Sequence, residues 1–82
     1  MKYTIEFKPR AVKDLEALPS RIQAQVISRI EGMSDNLRGD IKHLTDATPE
    51  FRLRVGDYRV LFETEGNTLF IYRIRHRREA YR

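Results

Sequence analysis

Apolar and polar residues alternate over the first eight positions of the chain, and this alternation predicts a strand with one buried face. The apolar members are Tyr3, Ile5 and Phe7, and charged residues or threonine lie between them. Pro9 follows directly and suits the first turn of a helix, because the N–H that proline lacks would have no partner there. We therefore expect a helix to begin immediately after the first strand.

Two amphipathic segments with helical spacing come next, separated by the sequence Leu18-Pro19-Ser20. The first has an apolar side formed by Ala11, Val12, Leu15 and Leu18 and a polar side formed by Lys13, Asp14 and Glu16. The second has an apolar stripe formed by Ile22, Val26, Ile30 and Met33, with Ile27 beside it. The two segments are predicted to form a helical hairpin that packs on a sheet.

Capping residues predict where the second helix begins and ends. Ser20 followed by Gln23 matches the capping-box pattern, so Ser20 is the predicted N-cap. Gly32, or the polar stretch 34–36, is expected to end the helix.

Residues 34–49 are polar and rich in turn formers, which predicts a connection between the helices and the rest of the chain. Its expected apolar anchors are Leu37, Ile41 and Leu44. His43 also lies in this segment, and we expect it to be a surface or partly packed histidine.

The pattern from residue 50 onward is that of strands alone. Residues 51–55 alternate, Gly56-Asp57 is typical of a two-residue hairpin turn, and residues 58–63 form the returning strand. A second turn at 65–67 leads to a final strand over 68–75, whose centre is apolar on both faces, as in a central strand. The predicted order is β-α-α-β-β-β, an α+β fold in which a helical hairpin packs on a mainly antiparallel twisted sheet.

Length and composition narrow the class of protein. The chain has 82 residues, which is enough for one domain spanning 1–82. It has no cysteine, so disulfides and thiolate metal sites are excluded. No apolar run approaches the ~20 residues that span a bilayer, and the N-terminus lacks the apolar region of a signal peptide. We expect a cytoplasmic protein that does not associate with membranes.

The net charge of +4 is concentrated at the end of the chain. Residues 1–50 contain equal numbers of basic and acidic residues, whereas residues 51–82 contain eight arginines and four acidic residues. The planar, permanently charged arginine side chain suits phosphate groups. A solvated basic surface would have the same composition, but this concentration of arginines favours a nucleic acid as the partner.

Strand geometry gathers these arginines on one surface. Arg52 and Arg54 share a face of their strand, opposite the apolar residues between which they lie. Arg59 follows the hairpin turn on the neighbouring strand. The end of the chain adds Arg73, Arg75, His76, Arg77, Arg78 and Tyr81. The prediction is one basic, phosphate-binding face with a histidine and a tyrosine at its margin.

The chain shows no sequence motif for a metal, a cofactor or a serine nucleophile. RNA cleavage remains possible without them, because the 2′-hydroxyl of RNA can attack the adjacent phosphate. The protein then has to hold the backbone in line, stabilise negative charge and transfer two protons. Arginines suit the first two tasks, and a histidine or tyrosine suits the third. We expect neither a metal nor a cofactor.

Two blocks of sequence resemble the RelE branch of the RelE/ParE toxin superfamily. The first is Phe51-Arg52-Leu53-Arg54-Val55-Gly56-Asp57-Tyr58-Arg59-Val60-Leu61-Phe62-Glu63, and the second is Ile74-Arg75-His76-Arg77-Arg78-Glu79-Ala80-Tyr81-Arg82. The opening strand, Pro9 and the Leu-Pro hinge fit as well, so the resemblance covers essentially the whole chain.

The resemblance implies the toxin of a type II toxin–antitoxin system. RelE-type toxins enter the ribosomal A site and cleave the bound mRNA codon, and they cut free RNA poorly. The implied partners are the ribosome with its mRNA and an acidic, RelB-like antitoxin. The toxin itself is expected to be monomeric, and oligomeric only through the antitoxin.

The resemblance also implies roles for individual residues. Arg52 and Arg54 match positions that contact the scissile phosphate and help to activate the 2′-hydroxyl, and Arg59 matches a phosphate-stabilising arginine. Arg77, or alternatively Arg75, matches an arginine that assists the leaving group, and Tyr81 matches a tyrosine that stacks on the substrate base. His76 falls at a position that is basic in related toxins.

The identity of the general base is open. The best-studied members of the family have lysines where this chain has Arg52 and Arg54, and a guanidinium cannot be deprotonated in proteins. His76 is the first candidate and Asp57, in the hairpin turn, is the second. Two other functions stay open: a ParE-like inhibitor of DNA gyrase, and a basic RNA-binding domain without catalytic activity.

Overall fold

The computed structural model describes residues 2–44 and 49–80, without the side chains of residues 79 and 80. Its elements in chain order are β1 (Thr4–Phe7), α1 (Pro9–Glu16), α2 (Ser20–Gly32), β2 (Ile41–His43), β3 (Phe51–Val55), β4 (Tyr58–Glu65), β5 (Thr68–His76) and α3 (Arg77–Ala80). Within the described ranges, no helix is long and apolar enough to cross a membrane.

The strands form one five-stranded sheet in the order β1-β5-β4-β3-β2. β1 pairs with β5 in parallel, and the other neighbours are antiparallel. The predicted α+β class, with two helices on a mainly antiparallel sheet, is confirmed. β5 has neighbours on both sides, as its apolar centre predicted.

The prediction was wrong about one strand. Ile41–His43, assigned to a connection, forms β2 and pairs with β3 at an edge of the sheet. Three residues are too few for a recognisable alternation of apolar and polar positions. The expected anchoring role holds for Leu37 and Ile41, which pack against the core, and His43 is exposed as expected.

The core lies between the two long helices and one face of the sheet. Its buried members are Ala11, Val26, Ile30, Met33, Leu53, Val55, Val60, Phe62, Leu69, Ile71 and Ile74. Val12, which was predicted to face the core, is 40% exposed. The apolar side of α1 is therefore narrower than its sequence predicted.

The start of α2 also differs from the prediction. Pro19 is the N-cap and Ser20 is already helical, and neither makes a side-chain capping hydrogen bond. Gln23 instead reaches back, and its Nε2 donates to the carbonyl of Leu18 at 3.0 Å. The pattern located the beginning of the helix correctly but assigned the capping role to the wrong residue. The helix ends at Gly32, the first of its two predicted end points.

A β-bulge in β5 shapes the end of the sheet that carries the arginines. Leu61 pairs with Arg73 and Phe62 pairs with Ile71, which leaves Tyr72 as the extra residue of β5. The bulge allows Ile71 and Ile74, three positions apart, both to face the core. A regular strand would have placed them on opposite faces.

Candidate nucleic-acid interface

Three arginines lie side by side on the face of the sheet opposite the two long helices. Arg54 of β3 pairs with Arg59 of β4, and Arg59 pairs with Arg75 of β5. We call these three residues the arginine row. Like charges directly opposite each other on neighbouring strands destabilise a sheet. The row therefore works against the stability of the free protein, and an anion bound across it would offset that repulsion.

A second cross-strand row runs beside the first. It contains Lys42 of β2, Arg52 of β3, Leu61 of β4 and Arg73 of β5. Leu53, between Arg52 and Arg54, is buried against the helices, so both arginines lie on the opposite face, as predicted. Arg54 is exposed and Arg52 is half-buried.

Arg59 is held more rigidly than an ordinary surface arginine. Only 7% of its surface is exposed. One of its terminal nitrogens, Nη1, donates to the carbonyl oxygens of Gly56 at 3.0 Å and Tyr58 at 3.1 Å. Gly56 has a φ of 58°, a conformation that glycine adopts without steric cost. The hairpin turn thus fixes the guanidinium in the centre of the arginine row.

Arg73 is engaged with the helical layer. Its Nε donates to Oδ2 of Asp14 at 2.8 Å, and its Nη2 lies 3.3 Å from Oδ1. The same Oδ2 accepts the backbone N–H of Ile74 at 3.0 Å. Strand β1 pairs with β5 only as far as Ile71. The backbone N–H of Ile74 lies beyond that pairing, and Asp14 supplies its hydrogen-bond acceptor. Asp14 was predicted to lie on the polar side of its helix, and this half-buried contact corrects that prediction.

Opposing effects act on the Asp14 carboxyl. Burial alone would raise its pKa, but the hydrogen bonds from Arg73 and Ile74 and the positive charges of Arg73 and Arg75 lower the pKa below 3.8. The charged form is therefore favoured in the folded protein more than in the unfolded chain. The stability from this contact is present above pH 3.8 and is lost as the pH falls through the lowered pKa of Asp14.

Asp14→Asn is expected to destabilise the protein by about 1–3 kcal/mol at neutral pH, because it weakens charge-assisted hydrogen bonds to Arg73. Urea unfolding at pH 7 and at pH 3 measures this effect. The difference between variant and wild type should shrink at the lower pH. Asp35→Asn, on an exposed residue, is the control. An equal difference at both pH values would show that the charge of Asp14 does not matter.

His76 lies at the end of β5 and pairs with Tyr58, not with the arginine row. The two rings meet edge to face, with centroids 5.4 Å apart. The Nδ1 atom of His76 lies 3.3 Å from the backbone N–H of Arg78. Accepting this hydrogen bond places the proton of a neutral ring on Nε2. A neutral His76 therefore has Nε2 as its hydrogen-bond donor.

An open cleft of about 500 Å³ adjoins His76, and its lining residues are Asp57, His76, Arg77 and Arg78. Asp57 accepts the backbone N–H of Arg77 through its own carbonyl at 2.7 Å. Its carboxylate lies 3.9 Å from Nη1 of Arg77. These contacts join the hairpin turn to the start of α3, so the end of β5 and the turn form one side of the candidate site.

The predicted site residues thus separate into three groups. Arg52, Arg54, Arg59 and Arg75 share one face of the sheet; Arg73 contacts α1; and His76, Arg77 and Arg78 border the cleft beyond the strand end. Tyr81 lies outside the described residues. Among the residues that are described, no group of three or more histidines or carboxylates is arranged to hold a metal ion.

Sequence reasoning missed Lys42 and Asp14 as parts of this region. Lys42 was missed because β2, which is only three residues long, was not predicted. Asp14 and Arg73 are 59 positions apart, and no local pattern connects them.

Comparison with known proteins gives consistent results. Residues 5–81 match the model of the family described as the ParE toxin of the type II toxin–antitoxin system parDE. The chain is 35% identical to Toxin RelG of Mycobacterium tuberculosis, with 100% of this chain and 99% of the relative covered. It is 32% identical to Toxin RelE3 of Methanocaldococcus jannaschii, with 92% of this chain and 91% of the relative covered.

A solved structure shares the fold. The toxin–antitoxin complex RelBE2 from Mycobacterium tuberculosis contains a chain with a TM-score of 0.78 and 33% sequence identity to this one. The alignment covers 93% of this chain and 99% of the chain in that complex.

Proposed function

This chain belongs to the RelE/ParE family of type II toxin–antitoxin toxins, and we propose that it arrests translation by cutting mRNA in the ribosomal A site. The observation that carries this proposal is the arginine row. Three cross-strand guanidinium groups, with Arg59 held by the hairpin turn, would place positive charge along the backbone of a single RNA strand.

The reaction we propose needs no metal or cofactor. The 2′-hydroxyl of the nucleotide attacks the adjacent phosphate, giving a 2′,3′-cyclic phosphate and a free 5′-hydroxyl. Negative charge builds up on the phosphoryl oxygens in the transition state, and guanidinium groups fixed beforehand stabilise it without reorganisation. Arg54 and Arg59 are suited to this task, and Arg52 and Arg75 to holding the backbone in line.

His76 and Arg77 are proposed to act at the leaving-group side. Because Nδ1 of His76 accepts the N–H of Arg78, Nε2 carries the proton of a neutral ring. A hydrogen bond donated from Nε2 can stabilise the negative charge that develops on the departing 5′-oxygen. Arg78 and Arg73 remain predicted phosphate contacts, and Tyr81 remains the predicted base-stacking residue.

We also propose an acidic antitoxin as the partner that keeps the toxin inactive. The similar chain from Mycobacterium tuberculosis was solved as a toxin–antitoxin complex. A basic face such as this one would attract an acidic, partly disordered segment through electrostatic complementarity. We expect the toxin alone to be a cytoplasmic monomer and a single domain, with larger assemblies formed through the antitoxin.

The deciding experiment adds the purified protein to a reconstituted translation reaction and maps mRNA 5′ ends by primer extension, with and without ribosomes. Cuts within the A-site codon that require ribosomes would support the proposal. Intact mRNA in both reactions would contradict it. RNA binding with a steep salt dependence but without cuts would indicate the alternative of an inert RNA-binding domain.

Arg54→Gln is expected to lower the cleavage rate by about tenfold or more while raising the stability of the free protein by about 0.2–1 kcal/mol, because it removes a like charge opposite Arg59. Arg10→Gln, on an exposed residue of α1, is the control. Urea unfolding and the primer-extension assay measure the two effects. A loss of stability in Arg54→Gln would show that the arginine row is not repulsive.

A ParE-like inhibitor of DNA gyrase is the second candidate function. The family model that matches residues 5–81 is described as the ParE toxin, and this match is the observation that favours gyrase inhibition. A supercoiling assay separates the two functions. Inhibition of gyrase at concentrations that leave mRNA intact on ribosomes would favour it over RNA cleavage.

A further inference from the structure

We propose that Lys42 is a catalytic residue, whose amine accepts the proton of the attacking 2′-hydroxyl. This inference rests on the proposed RNA-cleaving function and assigns the step for which the arginines are chemically unsuited. A guanidinium cannot be deprotonated in a protein, so none of the arginines on this face can act as the base.

The pairing of β2 with β3 places Lys42 on the arginine face. Lys42 is directly opposite Arg52, and the preceding pair, Ile41 with Leu53, faces the core. Residues directly opposite on antiparallel strands have Cβ atoms about 4.5–5.5 Å apart. Lys42 is exposed, so its flexible four-carbon stem can bring the amine to a phosphodiester that contacts Arg52.

Three other proton acceptors among the described residues are less well placed. Glu63 hydrogen-bonds to Tyr72, an interaction that raises the pKa of Tyr72. His76 is paired with Tyr58 on the opposite face and turns Nδ1 toward Arg78. The carboxylate of Asp57 faces Arg77 beyond the strand end.

Asp40 is the nearest rival. Its carbonyl accepts the backbone N–H of Arg54 at 2.9 Å, which places it at the edge of the arginine row. Asp40 precedes β2, whereas Lys42 lies within it. The strand register therefore shows which face of the sheet Lys42 occupies, but it does not do so for Asp40. A cationic acceptor also keeps the face positive toward RNA, whereas a carboxylate there would repel the phosphate.

The proposed step conserves atoms and charge. The free amine of Lys42 takes the proton of the 2′-hydroxyl as the O2′–P bond forms and the P–O5′ bond breaks. The departing O5′ takes a proton from water. The resulting ammonium returns its proton to the hydroxide, which restores the amine. The products are a 2′,3′-cyclic phosphate and a 5′-hydroxyl.

The test compares Lys42→Arg with wild type in single-turnover cleavage of ribosome-bound mRNA between pH 6 and pH 9. Arginine keeps the positive charge but cannot give up its proton. We expect the maximal rate to fall by about 10²–10⁴-fold, with little change in the concentration for half-maximal rate. We also expect the variant to lose the rise in cleavage rate with pH that a general base produces. Lys13→Arg, on an exposed residue of α1, is the control.

Two further variants complete the test. Lys42→Ala should recover part of its rate when methylamine is added, because a small amine can replace the missing group. Asp40→Asn should cut normally. A Lys42→Arg protein with the rate and pH profile of wild type, or a loss of activity in Asp40→Asn alone, would overturn the role of Lys42. A wild-type protein that does not cut on ribosomes would overturn the proposed function and this role together.

Discussion

Arg59→Gln is expected to lower the rate of ribosome-dependent mRNA cleavage by about 10²–10³-fold, the usual cost of removing one preorganised donor to a developing negative charge. Arg59 is the central member of the arginine row and is only 7% exposed. The carbonyls of Gly56 and Tyr58 hold its Nη1 atom at 3.0 and 3.1 Å. The guanidinium is thus oriented before RNA arrives, and glutamine supplies neither the charge nor the planar fork.

The burial of Arg59 makes a control for folding necessary. Arg59→Lys keeps the positive charge but loses the fork, so it should recover RNA binding more than cleavage. The far-ultraviolet circular dichroism and urea midpoint of each variant report whether the hairpin is intact. A folded Arg59→Gln protein that cuts mRNA at the rate of wild type would remove Arg59 from the site. If Arg59→Gln does not fold, Arg59→Lys becomes the deciding variant. Normal cleavage by Arg59→Lys would then contradict a role for the planar guanidinium group.

The arginine face was predictable because period-two geometry is local. Once Leu53 and Val55 are assigned to the core, Arg52 and Arg54 must lie on the other face. The two-residue turn at Gly56-Asp57 then sets which residue of β4 meets Arg54. Sequence patterns therefore supplied both the strands and the side of the sheet on which positive charge accumulates.

The rest of the site depends on contacts between residues far apart in the chain. The pairing of Asp14 with Arg73 joins a helix to a strand, and the bulge at Tyr72 depends on how β4 and β5 align. Both arise from tertiary packing, which overrides local preference. The separation of His76 from the arginine row also depends on tertiary packing. Only the pairing of His76 with Tyr58 shows which face of the sheet His76 occupies.

Phe62→Ala is expected to destabilise the protein by about 3–5 kcal/mol, the usual cost of removing a buried aromatic ring. Phe62 is 0% exposed and is the largest of the fully buried side chains. Its ring stacks on that of Phe51, with centroids 5.4 Å apart and an angle of 20° between the planes. It also pairs with Ile71 at the bulge, so the cavity would lie where β3, β4 and β5 meet the helices.

An 82-residue chain has little stability to lose, because small domains bury a smaller share of their surface than large ones. A loss of 3–5 kcal/mol would take a large part of the about 5–15 kcal/mol that natural domains have. Urea unfolding measures it. Phe70→Ala is the matched control, since Phe70 is the same residue type on the opposite face, half-buried beneath the Lys8 ammonium at 4.8 Å. Equal losses of unfolding free energy in the two variants would contradict a single core on the helical side of the sheet. A much larger loss for Phe62→Ala would show that the arginine face can be altered at little cost to the fold.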